Sequence, residues 1–498
     1  MLNNIKTATK DSIIYGFGNL SIKIVGLVLI PYYTNIKYIS FDEFGMLGLL
    51  EVTATLLTAV LGLSLTQGIT RWYWDPQYVS KQKPIVFSTF SLLLIISAAF
   101  LVLSYFLSGF FSKLLFANPN YSILVYTVIV SSVLQVFLTM LQTLMKLQQK
   151  PILFTTTNIL RLILTLVLTI YFVVYNKQSL QGIYNAQIIG SIVFILVCAK
   201  YIKNIIEIKF EKEILKEIVF YSTPLILASI SGILLSFQDR YILNYYSDLK
   251  KVGIYSFAYR MANTIKLLVV SSVQMAISPM LFQMIGDKKN LRFYSKYMTY
   301  FTFVVAICTL FFNLFCYEIV KVFASNKDYW QAVWVIPIIS FSLLFDMLKD
   351  TSLTGLQIQK KTGVISLVMI FIALFNLGLS FLFIPKWHYY GAAVATLISE
   401  IIFFCLIYFY AQRYYKIPYE MGKVFTIVAI VIVFSLSAFL INPLSLLLRL
   451  TIKTALLASF PILLYYLKFY EQVEIDSLKG AYLKWRNPLT WKNNLKGK

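Results

Sequence analysis

Six cations stand where a lipid-facing helix would carry none: Lys23, Arg161, Arg260, Lys266, Lys349 and Lys453 all fall inside long apolar runs. A cation at the centre of a membrane-spanning helix costs roughly 2.5–3.5 kcal/mol, so most of these side chains must point into protein or a wet cavity. Arg161 and Arg260 have no acidic neighbour in sequence and are the best candidates for binding an anion. A guanidinium offers a planar fork of donors that matches two phosphate oxygens, which suits a diphosphate. The acids sort differently. Lys23 and Glu51 lie at similar depth on successive runs and form a candidate ion pair, a structural explanation as good as a ligand site. Asp346, Lys349 and Asp350 fall within one helical turn and can neutralise one another. Lys266 is off the Arg260 face, and its long stem can snorkel.

Helical spacing gathers uncharged polar residues around these cations. Ser12, Gly16, Asn19, Lys23 and Gly26 share one face. Glu51, Thr55, Thr58 and Gly62 share another. Ser131, Gln135, Thr139, Gln142 and Lys146 form a third stripe, and Arg260, Asn263, Thr264, Ser271, Gln274 and Ser278 a fourth. The cavity-lining candidates are therefore Gln135, Gln142, Asn263 and Gln274 beside the cations. For Ser, Thr and Gly, helix-to-helix packing is the competing explanation.

The elements that hold these stripes follow from composition. Of 498 residues, 59% are hydrophobic and 13% are charged, against about 25% charged in an ordinary soluble domain. That excludes a soluble enzyme, a nucleic-acid-binding domain and a disordered scaffold. The net charge of +23 reflects cations flanking membrane spans rather than an affinity for nucleic acid. A span needs about 20 apolar residues. Fourteen candidates result: 11–32, 44–68, 85–108, 121–145, 152–175, 182–202, 217–239, 252–281, 297–323, 331–357, 363–385, 389–412, 422–441 and 446–468. Within lipid only helices or closed barrels satisfy the backbone, and these lengths specify helices. The expected fold is all-α and polytopic. The N-terminal apolar stretch, with Lys23 inside it and no small-residue cleavage site after it, is expected to remain as the first span. Lys and Arg concentrate on alternate connections (Lys81 and Lys83, Lys200 to Lys216, Lys288 to Lys296, and the tail from Lys468), which predicts that both termini are cytoplasmic.

An internal repeat is legible. Tyr33, Tyr38 and Gly45 recur as Tyr241, Tyr246 and Gly253; Leu147, Gln148, Gly182 and Ala186 recur as Leu356, Gln357, Gly391 and Ala395. The offset of about 208 residues equals six spans, so the halves keep the same orientation. Two parallel six-helix lobes around a central cavity are a transporter architecture that works by rocking one lobe against the other. The expected division is a lobe over 1–205, a second over 206–415, an extra helix pair over 416–470 and a basic cytoplasmic tail over 471–498. Residues 203–217, with alternating Glu and Lys around Ile206, Phe210 and Ile214, predict a surface helix joining the lobes.

No phosphate-cradling Gly-Lys-Ser/Thr loop and no constellation for nucleophilic or metal catalysis occur, so no enzyme activity, metal or cofactor is expected. The single histidine, His388 beside Trp387, is expected as an interfacial anchor in a short outer loop. Asp239-Arg240 is expected at an outer helix end as an ion pair or loop anchor.

The run Ile30-Pro31 through Tyr38-Ile39-Ser40-Phe41-Asp42-Glu43-Phe44-Gly45 resembles the first loop of bacterial polysaccharide-biosynthesis exporters, as do Asp239-Arg240-Tyr241-Ile242-Leu243, Val252-Gly253-Ile254-Tyr255-Ser256, and Leu356-Gln357 leading to Gly391-Ala392-Ala393. The chain is similar over its whole length to the O-antigen and repeat-unit flippases of the multidrug/oligosaccharidyl-lipid/polysaccharide exporter superfamily. The resemblance implies an inner-membrane protein that moves an undecaprenyl-diphosphate-linked oligosaccharide to the outer leaflet. It implies substrate contacts from Lys23, Arg161, Arg260 and Lys266, with Glu51 as the ion-coupling acid for a proton or sodium. Its partners would be the lipid-linked oligosaccharide, membrane lipids, and a polysaccharide polymerase with its chain-length regulator. A multidrug or cation antiporter of the same superfamily is the alternative.

Overall fold

The quoted motif around Ser40 is a helix start. The Ser40 hydroxyl accepts the Glu43 backbone N–H at 3.2 Å, and the Glu43 carboxylate accepts the Ser40 N–H at 2.7 Å. This reciprocal box satisfies two otherwise orphaned donors and launches α1 (Phe41–Leu61). The computed structural model describes residues 26, 28–75, 77–274, 277, 281, 284, 290–472 and 475–476. After α1 come α2 (Leu65–Trp72), α3 (Gln82–Phe116), α4 (Ser122–Leu147), α5 (Pro151–Ile170), α6 (Ser179–Val197), α7 (Lys212–Tyr246) and α8 (Leu249–Ile265). Then follow α9 (Asn290–Leu314), α10 (Cys316–Phe323), α11 (Ile336–Ile358), α12 (Thr362–Tyr414), α13 (Met421–Ile441) and α14 (Leu446–Tyr466). No strand occurs among the described residues, and the protein is all-α.

Ten helices among the described residues are long and apolar enough to cross a membrane, or eleven if the bent pair Lys327–Trp334 and Ile336–Ile358 forms one span. Against eleven, the fourteen expected spans differ by three: two are not fully described and two are joined. The span 11–32 lies almost wholly outside the described residues, as does part of 252–281. The spans 363–385 and 389–412 run together as α12, whose 53 residues break at His388 (φ 48, ψ −126). His388 therefore sits at a sharp turn within a continuous helical pair, not in a loop, and its Nδ1 meets the Ser247 hydroxyl at 2.8 Å.

Two groups of helices are apparent. The helices α1 to α6 pack on one another, as do α7, α8, α9, α11 and α12, while α13 and α14 lie against α9. At one end a single core crosses between the groups. Phe44, Leu47 and Leu50 of α1 join Tyr255, Phe257 and Met261 of α8 and Tyr329 beneath them. At the other end there are two cores: Leu141, Leu144 and Phe194 with Ile214 and Ile218 of α7 in one, Met298, Leu344 and Val424 in the other. The halves are thus joined at both ends: by the α1–α8 core at one, and at the other by α7 on α2, where Trp72 Nε1 donates to the Glu217 carboxylate at 3.1 Å.

The junction is the crossing of α1 and α8, at residues separated by the repeat offset. Gly253 lies against Gly45, where an added Cβ would meet the Gly45 nitrogen at 3.4 Å. A Cβ on Gly48 would fall 2.2 Å from the Ser256 hydroxyl oxygen. Contacts between positions i and i+208 are what a two-fold relation between the halves produces. The second glycine pair shares a setting too: Gly182 and Gly391 each pack against the helix just before them, near Phe172 and Phe383.

The predicted surface helix over 203–217 does not form as one piece. A short helix ends at Ile205, Ile206 is extended, and α7 starts at Lys212. Side-chain anchoring outcompetes helix propensity here. The Glu211 N–H donates to the Ser88 hydroxyl at 2.8 Å, and the Glu211 carboxylate takes the Lys81 ammonium at 3.0 Å. The Lys81 hydrogen bond holds the Glu211 carboxyl below its usual range. Of the basic tail expected over 471–498, residues 473–474 and 477–498 lie outside the described residues. Large apolar side chains on the outside, such as Phe106, Phe220, Leu440 and Leu447, are more than three-quarters exposed, as a lipid-facing belt requires.

Candidate functional site

Two cavities lie between the halves and share Ala54, Thr55 and Gln187 as lining, forming one chamber. The larger, about 470 Å³, takes Thr58 and Gly62 from α1, Ser131, Gln135 and Thr139 from α4, and Ser229 from α7. The smaller, about 320 Å³, is lined by Glu51, Tyr184, Phe237 and Arg240 among others. The stripes expected on the second and fourth spans therefore converge on one space. Their hydroxyls are mostly committed to the helix turn behind them, as Thr58 is to the Ala54 carbonyl at 2.7 Å and Thr139 to that of Gln135 at 2.8 Å.

Arg161 of α5 sits behind this wall. Its Nη2 donates to the Gln135 side-chain carbonyl at 2.8 Å and to the Ser191 hydroxyl at 3.3 Å. No carboxylate lies within ion-pair distance of it among the described residues. Gln135, whose side-chain carbonyl accepts from Arg161, stands between that guanidinium and the chamber. Gln142, two turns beyond Gln135, instead donates to Asn158 at 2.7 Å and ties α4 to α5.

Arg260 has an acid partner that sequence proximity does not show. Its Nη2 lies 2.5 Å from Glu51 Oε1, and the guanidinium rests over Phe44 and Tyr33 at 5.4 and 5.9 Å. The pair joins α1 to α8, hence one half to the other. Glu51 is nearly half exposed and lines the smaller cavity, whereas Arg260 is about one-fifth exposed and its Nη2 is buried, so the pair is approached from its Glu51 side. The expected Lys23–Glu51 pair cannot be placed, because Lys23 lies outside the described residues; the Glu51 carboxylate is engaged by Arg260.

Lys266, Asn263 and Gln274 do not line this chamber. Lys266 opens a π-helical turn, Lys266–Val270, which rotates it off the Arg260 face. It does not snorkel to an interface; its ammonium bonds to Asp346. Lys349 also bonds to Asp346 and lies 3.2 Å from Asp350, which accepts from Gln274 at 3.0 Å. The neutralising cluster expected within one turn of α11 is present and enlarged by a cation from the neighbouring element. Lys453, fully buried, is held by the Glu318 carboxylate at 2.8 Å and the Asn442 side-chain amide oxygen at 2.8 Å. Breaking a buried pair strands the partner charge, at about 3–5 kcal/mol. Lys349→Ala leaves Asp346 with Lys266 and the part-exposed Asp350 with Gln274, so it is expected to destabilise the purified protein by less, about 1–3 kcal/mol, read as a fall in its detergent melting temperature. An unchanged melt would mean that Asp346 and Asp350 find water.

The sequence places Arg240 at a helix end; the structure places it well inside α7, only 5% exposed, stacked on Tyr259 and Phe237 at 4.6 and 5.1 Å. Asp239 beside it takes the Tyr255 hydroxyl. No sequence signal separates a terminal Arg from one buried at this depth, because α7 extends past the apolar run by which its span is bounded. No group of three or more metal-capable side chains occurs among the described residues.

Comparisons with known proteins bear on this arrangement. A family model described as polysaccharide biosynthesis protein matches residues 8–285, and one described as MatE matches 224–382. The capsular polysaccharide biosynthesis protein CapF of Staphylococcus aureus is 27% identical over 204 residues, 40% of this chain and 50% of the relative; the match thus spans about half of that relative's length. Among solved structures, the lipid II flippase MurJ in an inward closed conformation superposes with a TM-score of 0.73 at 16% identity, covering 92% of this chain and 100% of that one. The MATE transporter VcmN of Vibrio cholerae, as a D35N mutant, gives 0.58 at 17% identity, covering 82% and 96%. At such identities the structural likeness establishes the transporter fold.

Proposed function

The chain belongs to the polysaccharide biosynthesis protein family, and from that premise we propose that it flips an undecaprenyl-diphosphate-linked oligosaccharide repeat unit from the cytoplasmic to the outer leaflet of the bacterial inner membrane. The reading rests chiefly on one observation: the Arg260–Glu51 pair, reachable from the chamber, fastens α1 to α8 at the junction of the two halves. A diphosphate entering the chamber competes with Glu51 for Arg260 and loosens that junction. The lobes 1–205 and 206–415 then rock, with 416–470 flanking them. The end at which α2 packs on α7 carries the lysine-rich loops and is assigned to the cytoplasm, so substrate enters from inside once α2 and α7 separate.

The diphosphate carries about two negative charges. With the interior negative, exporting them is downhill by about 4–5 kcal/mol per 100 mV. Membrane potential thus supplies a driving force, and Glu51, released from Arg260, is the group to accept a proton or sodium on the return. The released product would pass to a polymerase and chain-length regulator outside.

The test uses proteoliposomes with a fluorescent polyprenyl-diphosphate oligosaccharide in the inner leaflet. Protein is expected to speed its appearance outside, and an inside-negative potential to speed it further. Failure to move this lipid, with movement of an organic cation instead, would replace the proposal with cation antiport. A chamber whose lining carboxylate is already paired with an arginine is poorly suited to cations.

A further inference from the structure

The 320 Å³ cavity beside Glu51 is lined by two residues, Arg240 and Tyr184, that each hold a buried donor, Nη1 and the hydroxyl, making no hydrogen bond among the described residues. Tyr184 is 2% exposed and Arg240 5%. Buried polar groups are nearly always satisfied, and an exception calls for a reason. The rest of the Arg240 environment is fixed. Its Nε donates to the Ser256 hydroxyl at 3.3 Å, the ring of Tyr259 supports one guanidinium face, and the Asp239 carboxylate, 4.0 Å from Nη1, is occupied by the Tyr255 hydroxyl and the Arg240 N–H. The guanidinium is therefore held in one orientation, with Nη1 making no hydrogen bond among the described residues. Tyr184 comes from α6 and Arg240 from α7, one from each half. A cavity that offers buried donors from both halves, and whose carboxylate is already engaged by Arg260, is complementary to an anion made only of acceptors.

We propose that Arg240 and Tyr184 form a phosphoryl-oxygen subsite that takes one phosphoryl group of a diphosphate while Arg260 takes the other. The subsite rests on the export reading, since the diphosphate is the cargo proposed there. A single phosphate would satisfy one arginine; two phosphoryl groups satisfy both and draw the halves onto one ligand.

The test measures binding of three probes to the purified full chain in detergent: farnesyl diphosphate, farnesol and inorganic pyrophosphate. Hydrogen bonds to charged groups contribute more than neutral ones. Arg240→Gln is expected to weaken farnesyl diphosphate about 10- to 100-fold and Tyr184→Phe about 3- to 10-fold. Farnesol affinity should stay unchanged in both, and Arg240→Lys should fall between. Tyr184→Phe removes an unbonded hydroxyl without changing shape, so it keeps the test open if the arginine variants misfold. Wild-type affinity for farnesyl diphosphate in folded variants overturns the subsite, and so does an equal loss of farnesol, which marks a structural role. If pyrophosphate binds wild type as tightly as the lipid, the subsite stands and its ligand is a soluble diphosphate. If wild type binds neither diphosphate, the export reading falls with it.

Discussion

Replacing Arg260 with alanine is expected to reduce export of the lipid-linked unit about 30-fold or more while leaving membrane insertion intact. Arg260 sits where the substrate's charge must be met, and truncating one partner of a desolvated charge pair costs roughly 2–5 kcal/mol in binding. The protein itself loses less. The stranded Glu51 is nearly half exposed and can recruit water, unlike the buried Asp346, so the variant should accumulate and melt near wild type. Arg260→Lys separates charge from geometry: partial export if charge suffices, near-complete loss if the planar fork engages two oxygens. Glu51→Gln should retain substrate binding but release the α1–α8 fastening. Surface polysaccharide measured in a deletion strain carrying each variant decides the matter. Normal polysaccharide with Arg260→Ala would remove the physical basis of the assignment.

The second large effect is expected at Gly45. A Cβ there would lie 1.9 Å from the Leu249 carbonyl oxygen and 2.7 Å from its carbonyl carbon. These are backbone atoms at the start of α8, so no rotamer change relieves the overlap, and the helices must separate. Overpacking of this kind costs about 1–3 kcal/mol and more where the backbone must move; Gly45→Ala belongs at or above the upper end. Gly253→Ala faces only a 3.4 Å approach to Gly45 and should cost about 1 kcal/mol or less. The comparison is direct, because the two glycines are equivalent by the repeat offset and meet at one crossing. Thermal melting of both variants in detergent checks the ranking, and equal melting temperatures would show that α1 and α8 are not held at this distance. Export in Gly45→Ala should fall as well, since widening the crossing pulls Arg260 from Glu51.

Much of the candidate site is legible in the amino-acid sequence. Helical period alone selects Thr55, Thr58, Ser131, Gln135 and Thr139, and all of them line the chamber. They are readable because a 3.6-residue period places them on one face, and an apolar chain has few other reasons to align them. Gln142 and Gln274 satisfy the same criterion, yet they bond to Asn158 and Asp350. Periodicity names a helix face but not what that face meets. Arg240 escapes sequence reasoning for a related reason: hydropathy locates where an apolar run ends, while the helix that carries it continues to Tyr246.

The amino-acid sequence by itself determined that this is a multi-spanning helical protein with buried cations and a repeat of about 208 residues, because hydropathy, side-chain period and register are properties of one dimension. The tertiary structure alone decided that Arg260 answers Glu51, that Lys266 answers Asp346, and that Arg240 Nη1 and the Tyr184 hydroxyl make no hydrogen bond among the described residues. Those pairings depend on distances between helices far apart in sequence. The distances follow from how closely backbones approach at contacts such as Gly45 with Leu249, where a single hydrogen in place of a side chain sets which charges come within reach.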